Sequence, residues 1–280
     1  MKSPFIFWLV AVVITLSAVY YQRVTGPTRP IKTEVTFNNE LIKVKLPRSH
    51  TNNKDCQIDI IGVKQGWNIF LFYRKYPGEN QWTKNSFVKS DSNMVSAWLP
   101  KQPAAGKLEY YVTILNPMNG ESISLSKAEP VIIRFKNPVP AWALIPHILL
   151  MFIAMLLSNL TGAFALFMND RYKFYSIITF ITLLLGGFVF GPIVQKYAFG
   201  SYWTGFPMGM DLTDNKTLIA IIAWLIAVIV NLKEKRPLVS LFASIIMLIV
   251  FSIPHSLRGS ELNYETGKVV TGFVDLVNWF

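Results

Sequence analysis

Five long apolar runs constrain this chain more than any other feature of its sequence. They are Phe5–Tyr21, Ala141–Leu157 with an apolar extension to Phe167, Phe174–Val194, Leu218–Leu232 and Leu238–Ile253. A helix of about 20 mostly apolar residues crosses a hydrocarbon core of about 30 Å. The fourth run is short, and its helix is expected to draw on Leu212. Composition agrees: 52% of the 280 residues are hydrophobic and 15% are charged, whereas ordinary soluble domains are about a quarter charged. The expected fold is a membrane α-helical bundle of five transmembrane helices with an inserted all-β sandwich domain. Its parts are an anchor helix over 1–22, the β-domain over 31–137, four helices over 140–255 and a tail over 256–280.

The first run follows Lys2, as a secretion signal would, but lacks a small-x-small cleavage site and ends in bulky Tyr20 and Tyr21. It reads as an uncleaved signal anchor. The short loops set orientation. Arg171 and Lys173 lie in one, and Lys233, Lys235 and Arg236 in another. By parity these loops share a side, and excess Lys and Arg marks the cytoplasm. The N-terminus is then cytoplasmic, while the β-domain and C-terminal tail lie outside. The loop from Gln195 to Thr217 also falls outside and is crowded with Tyr197, Phe199, Tyr202, Trp203 and Phe206, rings suited to the headgroup level. Gly187 and Gly191 form a small-xxx-small pair fit for close helix packing. The lead-in Lys and the Lys-, Asn- and Ile-rich usage point to a bacterial cytoplasmic (inner) membrane and a periplasmic β-domain.

From Ile31 to Lys136 the long runs give way to short alternating ones, such as Glu40–Leu46, Trp67–Arg74, Lys107–Leu115 and Pro130–Lys136. Turn signals separate them: Lys64-Gln-Gly66, Pro77-Gly-Glu-Asn80 and Asn116 to Gly120. Seven to nine short strands at this spacing suit a β-sandwich. Leu99-Pro100 followed by Gly106-Lys-Leu-Glu-Tyr110-Tyr111-Val112 resembles the E–F corner of fibronectin type III and immunoglobulin-like sandwiches. The resemblance covers residues 31–137 and implies that Tyr110 bonds back across that corner, with Trp67 as a core ring. It also implies protein binding or a spacer role, by analogy of fold alone. The single cysteine, Cys56, opens an apolar run and is expected to pack as a small hydrophobe. Asn137-Pro-Val-Pro140 then stiffens the entry to the second span.

Net charge is +11, but no five-residue basic block exists, so nucleic acid is not an expected partner. No HExxH, GxSxG, Walker loop or paired CxxC occurs. No acid lies deep in a span, which argues against an ion-coupled carrier. Chemistry could sit at two of the three histidines, His147 in the second span and His255 at the end of the fifth, each preceded by proline. Three readings stay open. The two imidazoles could hold a b-type haem or quinone. They could join Asp211 and Asp214 on a divalent metal. Or each could bond a carbonyl that its proline frees. Asp211 or Thr213 could equally cap the fourth span. Lys216, Arg258 and Glu261 share that membrane face, and the cytoplasmic half of the spans is expected to hold no comparable polar groups. The tail's Val269, Val270, Phe273, Val277, Trp279 and Phe280 suit an amphipathic interfacial helix or a subunit contact. The function expected first is non-enzymatic: a subunit or scaffold of an envelope complex, with the lipid bilayer and other membrane or periplasmic proteins as partners.

Overall fold

A computed structural model describes residues 4–91, 93–255 and 260–270. The chain forms two units. One holds the helices, and the other comprises Thr28–Pro138 together with Glu261–Val270. Arg258 and the tail residues Phe273, Val277, Trp279 and Phe280 lie outside the described residues.

The helical unit contains α1 (Pro4–Thr25), α2 (Ala141–Leu166), α3 (Arg171–Phe199), α4 (Leu212–Lys233) and α5 (Pro237–Ser252). The first four are long and apolar enough to cross a membrane, and α5 is a shorter apolar helix of 16 residues. The fourth apolar run does begin its helix at Leu212, as expected. α3 is α-helical over Arg171–Leu184, π-helical over Leu185–Phe190 and α-helical again over Gly191–Phe199. Large apolar side chains such as Ile145, Ile226, Phe242 and Ile249 face outward. Small and polar ones such as Ala154, Thr161, Ala220, Ala227 and Ser240 are buried. That is the reverse of a water-soluble helix, which hides its large apolar stripe.

Close approach rests on glycine. A Cβ on Gly187 would lie 2.7 Å from Thr217 Cγ2 of α4, and one on Gly186 would lie 2.9 Å from Leu150 Cβ of α2. Gly191, the other half of the expected pair, meets its neighbours at ordinary contact distance, 3.5 Å or more. The tight pair is therefore Gly186-Gly187, and its partners are helices of the same chain.

The β-unit has eleven strands between Ile31 and Lys136, two more than the upper expectation. One sheet runs β1 (Ile31–Phe37), β2 (Glu40–Leu46), β4 (Cys56–Ile61), β8 (Met94–Leu99), β7 (Val88–Asp91). The other runs β3 (Ser49–Thr51), β11 (Val131–Lys136), β9 (Lys107–Leu115), β5 (Asn68–Tyr76), β6 (Thr83–Ser86), with β10 (Ser122–Leu125) also on β9. Strict alternation in β2 buries Ile42, Val44 and Leu46 and leaves Lys43 and Lys45 exposed. Inward residues of both sheets share one core, Ile58, Ile60 and Leu99 from one with Leu71, Val112, Ile133 and Phe135 from the other. Cys56 is buried in it, as its sequence context implied, and burial followed by the Asp59 charge pushes its thiol up to about 11. Trp67 packs against this core, edge-on to Phe37.

Two sequence expectations are corrected here. Tyr110 Oη donates to the carbonyl of Pro47 at 2.7 Å, not to the corner between Leu99 and Gly106. Pro47 lies where the chain leaves β2 in one sheet and enters β3 in the other, so this buried phenol ties down a sheet-to-sheet crossing. The second concerns the described part of the tail. Residues 261–270 are not helical but form a two-strand hairpin, β12 (Glu261–Leu262) with β13 (Val269–Val270). The Asn263 side chain accepts from the amides of Glu265 and Thr266, and Gly267 takes the left-handed φ of +67° that the tight turn requires. Leu262 N donates to Ala105 O, Lys107 pairs with Glu261, and Tyr264 Oη donates to Gln102 Oε1 and Lys107 O.

Candidate functional site

The described polar residues of the helical unit gather at its two ends. At one end the α2–α3 and α4–α5 turns meet, with Lys235 Nζ 3.0 Å from both oxygens of Asp170. Behind that exposed pair lies a buried neutral network. Tyr172 Oη donates to Asn231 Oδ1, Asn231 Nδ2 to Ser240 Oγ, and Ser240 Oγ meets Ser176 Oγ at 3.0 Å. Further along, Thr161 meets Thr179, Ser244 donates to Ser158 O, and Asn159 donates to Thr15 at 2.9 Å. Reading the spans for charge alone missed this network. Its sequence signal is Ser, Thr or Asn recurring at helical spacing, as in Ser158 with Thr161 and Ser240 with Ser244.

The opposite end carries the residues singled out from sequence. Asp211 caps α4: its Oδ1 accepts from the amides of Thr213 and Asp214. Its Oδ2 accepts from Ser260 N and Oγ, both at 3.2 Å. Asp214 Oδ2 accepts from Thr204 N, Thr204 Oγ1 and Gln195 Nε2 at 2.6, 3.1 and 3.0 Å. Asn215 Oδ1 accepts from Phe206 N. These three side chains clamp the connection between α3 and α4 onto the first turn of α4. Gly205 is needed there, since a Cβ would lie 2.6 Å from Asp214 Cβ. Among the described residues no hydrogen bond joins either carboxylate to either histidine, and no group of three or more His, Cys, Asp or Glu side chains could hold a metal.

The histidines carry opposite tautomers. His147 Nδ1 lies 2.8 Å from Gly186 O. A carbonyl only accepts, so Nδ1 bears the proton and Nε2 presents its lone pair. That carbonyl starts the π-helical stretch, where Gly191 N reaches back to it. The stretch, rather than Pro146, shapes the acceptor. His255 Nδ1 lies 2.9 Å from Gln22 Nε2, which also donates to Phe251 O at 2.8 Å. An amide nitrogen only donates, so His255 accepts at Nδ1 and bears its proton at Nε2. Of the two rings, only His147 therefore offers a free nitrogen lone pair.

Sequence reasoning underrated Lys216. Its side chain is 2% exposed, its Nζ donates to Ile253 O at 2.6 Å, and no carboxylate lies within 4.0 Å of it among the described residues. It closes the carbonyl end of α5 together with Gln22 from α1, and a cation suits that end of the helix dipole. Gln22 bonds both His255 and the Ile253 carbonyl that Lys216 also holds, so the structure brings Lys216 and His255 together, leaves His147 on Gly186 O, and holds Asp211 and Asp214 in separate hydrogen-bond clamps. Neither a protein-family model nor a curated protein matches the chain.

Proposed function

We propose that this chain is a multi-pass protein of a bacterial cytoplasmic membrane that holds an immunoglobulin-like β-sandwich on the outer face, as a non-enzymatic subunit or scaffold of an envelope complex. The observation that carries this is the hairpin of residues 261–270, which belongs with the β-unit. Residues 138 and 261 are then on one side of the membrane, and the four helices between them make an even number of passes. α5 must cross with the rest, although at about 1.5 Å per residue its 16 residues span only about 24 Å. Gln22 at the end of α1 bonds the end of α5, as this topology requires. Arg171, Lys173, Lys233, Lys235 and Arg236 all fall at the other end, the cytoplasmic one by the positive-inside rule.

The sandwich reading is supported by the shared two-sheet core and by the chain's switch between sheets at Pro47, after which β3 pairs parallel with β11. The buried tyrosine is an immunoglobulin-like feature, although its bond differs in partner. A cofactor or metal held by His147 and His255 has less support, because Gln22 occupies one ring's acceptor and the carboxylates are committed elsewhere.

Two experiments test the proposal. With Cys56 replaced by Ala, a cysteine at Ser122 should react with a membrane-impermeant maleimide in spheroplasts, and one at Lys235 only after lysis. The reverse pattern overturns the topology. Purification in mild detergent should yield a defined complex; a strictly monomeric particle with no companion protein overturns the scaffold role.

A further inference from the structure

A groove of about 920 Å³ runs along the solvent face of the β1–β2–β4–β8 sheet and lies outside the site described above. Three carboxylates line it, and each is engaged. Glu34 pairs with Lys43 at 3.2 Å, Asp55 accepts from Lys101 N, and Asp59 accepts from Ser96 and Gln57. Besides Lys43, four cations line it: Lys32, Lys45, Arg48 and Lys54. None of the four forms an ion pair among the described residues.

The sheet itself provides a contrast. Glu34 and Lys43 are cross-strand partners, and so are Lys32 and Lys45 two residues along on the same face. The first pair is neutral. The second places like charges directly opposite, an unfavourable arrangement in the absence of an anion. His50 Nε2 is buried at this end with no hydrogen-bond partner, and burial followed by the Lys54 charge holds its ring below the usual histidine range. Ile61 is the cross-strand partner of Lys43, and Trp98, opposite Gln57 at the other end of β4, is 42% exposed.

We infer that this groove binds an acidic polysaccharide, whose carboxylate or sulfate groups lie among Lys32, Lys45 and Arg48 and whose sugar ring lies on Trp98. The site is too large for an inorganic ion, since cavities of about 300–1,000 Å³ hold drug-sized ligands. Its cations and an exposed aromatic ring on one sheet face match a polymer that carries both charge and ring faces. The inference does not depend on the membrane topology proposed above, so either can fail without the other.

The test is calorimetric titration of the full chain in phosphatidylcholine nanodiscs with an oligogalacturonate, a neutral oligosaccharide of equal length, polyglutamate and inorganic phosphate. The oligogalacturonate should bind, weaken with added salt, lose at least fivefold in affinity in Lys45→Gln/Arg48→Gln and at least threefold in Trp98→Ala. All three positions are at the protein surface, and unchanged melting temperatures will confirm that the variants fold. Equal binding of polyglutamate with no effect of Trp98→Ala would make the ligand an acidic peptide and overturn the inference. Full competition by millimolar phosphate, or no binding to the oligogalacturonate, would also overturn it.

Discussion

The two ends of the helical unit solve the same problem with different chemistry. Both bury polar side chains among apolar helices, where an unsatisfied group is costly. At the Tyr172–Asn231–Ser240 end the buried groups are neutral and bond one another across helices. At the Asp211–Asp214–Lys216 end they are ionisable, and each bonds at least one backbone group at a helix terminus or in the α3–α4 connection. Neutral groups join helices side to side, whereas charged ones fasten helix ends. The Trp224–Met247 contact lies between them, indole Nε1 to sulfur at 3.2 Å.

That contrast can be broken or sharpened. The largest effect is expected at Asp211, where one side chain both caps α4 and holds Ser260. Asp211→Ala should cost about 3 kcal/mol in thermal unfolding in detergent, the sum of a lost cap and lost charge-assisted bonds. Asp211→Asn, which can still cap, should recover most of it; equal losses would show that capping is not what Asp211 contributes. Asn231→Ala is expected to cost about 1–2 kcal/mol, since it strands Tyr172 Oη and Arg236 N. Ser240→Ala should cost only about 0.6 kcal/mol, the mean for interhelical bonds in membranes. If the serine costs as much as the asparagine, the network acts as a unit rather than pairwise.

Lys216 gives the sharper test. A buried ammonium with one carbonyl partner gains little over an apolar residue of its length, so Lys216→Met should change stability by less than about 1 kcal/mol in either direction. A loss above that would mean the charge itself holds the end of α5. An effect that appears only at high pH is expected outside the bundle. The Cys56 thiol is raised from 9.0 to about 11, so the folded chain holds that proton more tightly than the unfolded one. Its contribution is complete below pH 9 and disappears as pH rises from 9 to 11. Unfolding followed across that window should be less pH-dependent in Cys56→Ala than in the parent chain.

Much of this was legible in the sequence because the strongest signals are local. The apolar runs located all five helices, Asp211 stands where a cap should, and the alternation of β2 shows which residues face the core. The features that escaped depend on partners distant in the chain. Tyr110 could be picked out as a buried phenol, but its acceptor is 63 residues away, beyond any local pattern. The π-helical stretch follows from Gly186-Gly187 fitting between two helices, and neither glycine alone announces it. The hydroxyl network was overlooked because uncharged Ser and Thr do not stand out in a span. The hairpin at Asn263–Gly267 did carry a turn signal, Asn263 with Gly267, but the neighbouring Val269 and Val270 also fit a helical stripe.

That hairpin has a consequence for biosynthesis. The β-unit is made in two instalments, residues 28–138 and then 261–270, with four helices translated between them. At roughly 5–20 residues per second the interval is on the order of ten seconds. Until the second instalment arrives, Lys107 lacks its Glu261 partner and Gln102 lacks the Tyr264 hydroxyl. In the proposed topology, the β-unit is complete only after every intervening helix has been made, so a chain stalled before residue 261 would display an unfinished domain.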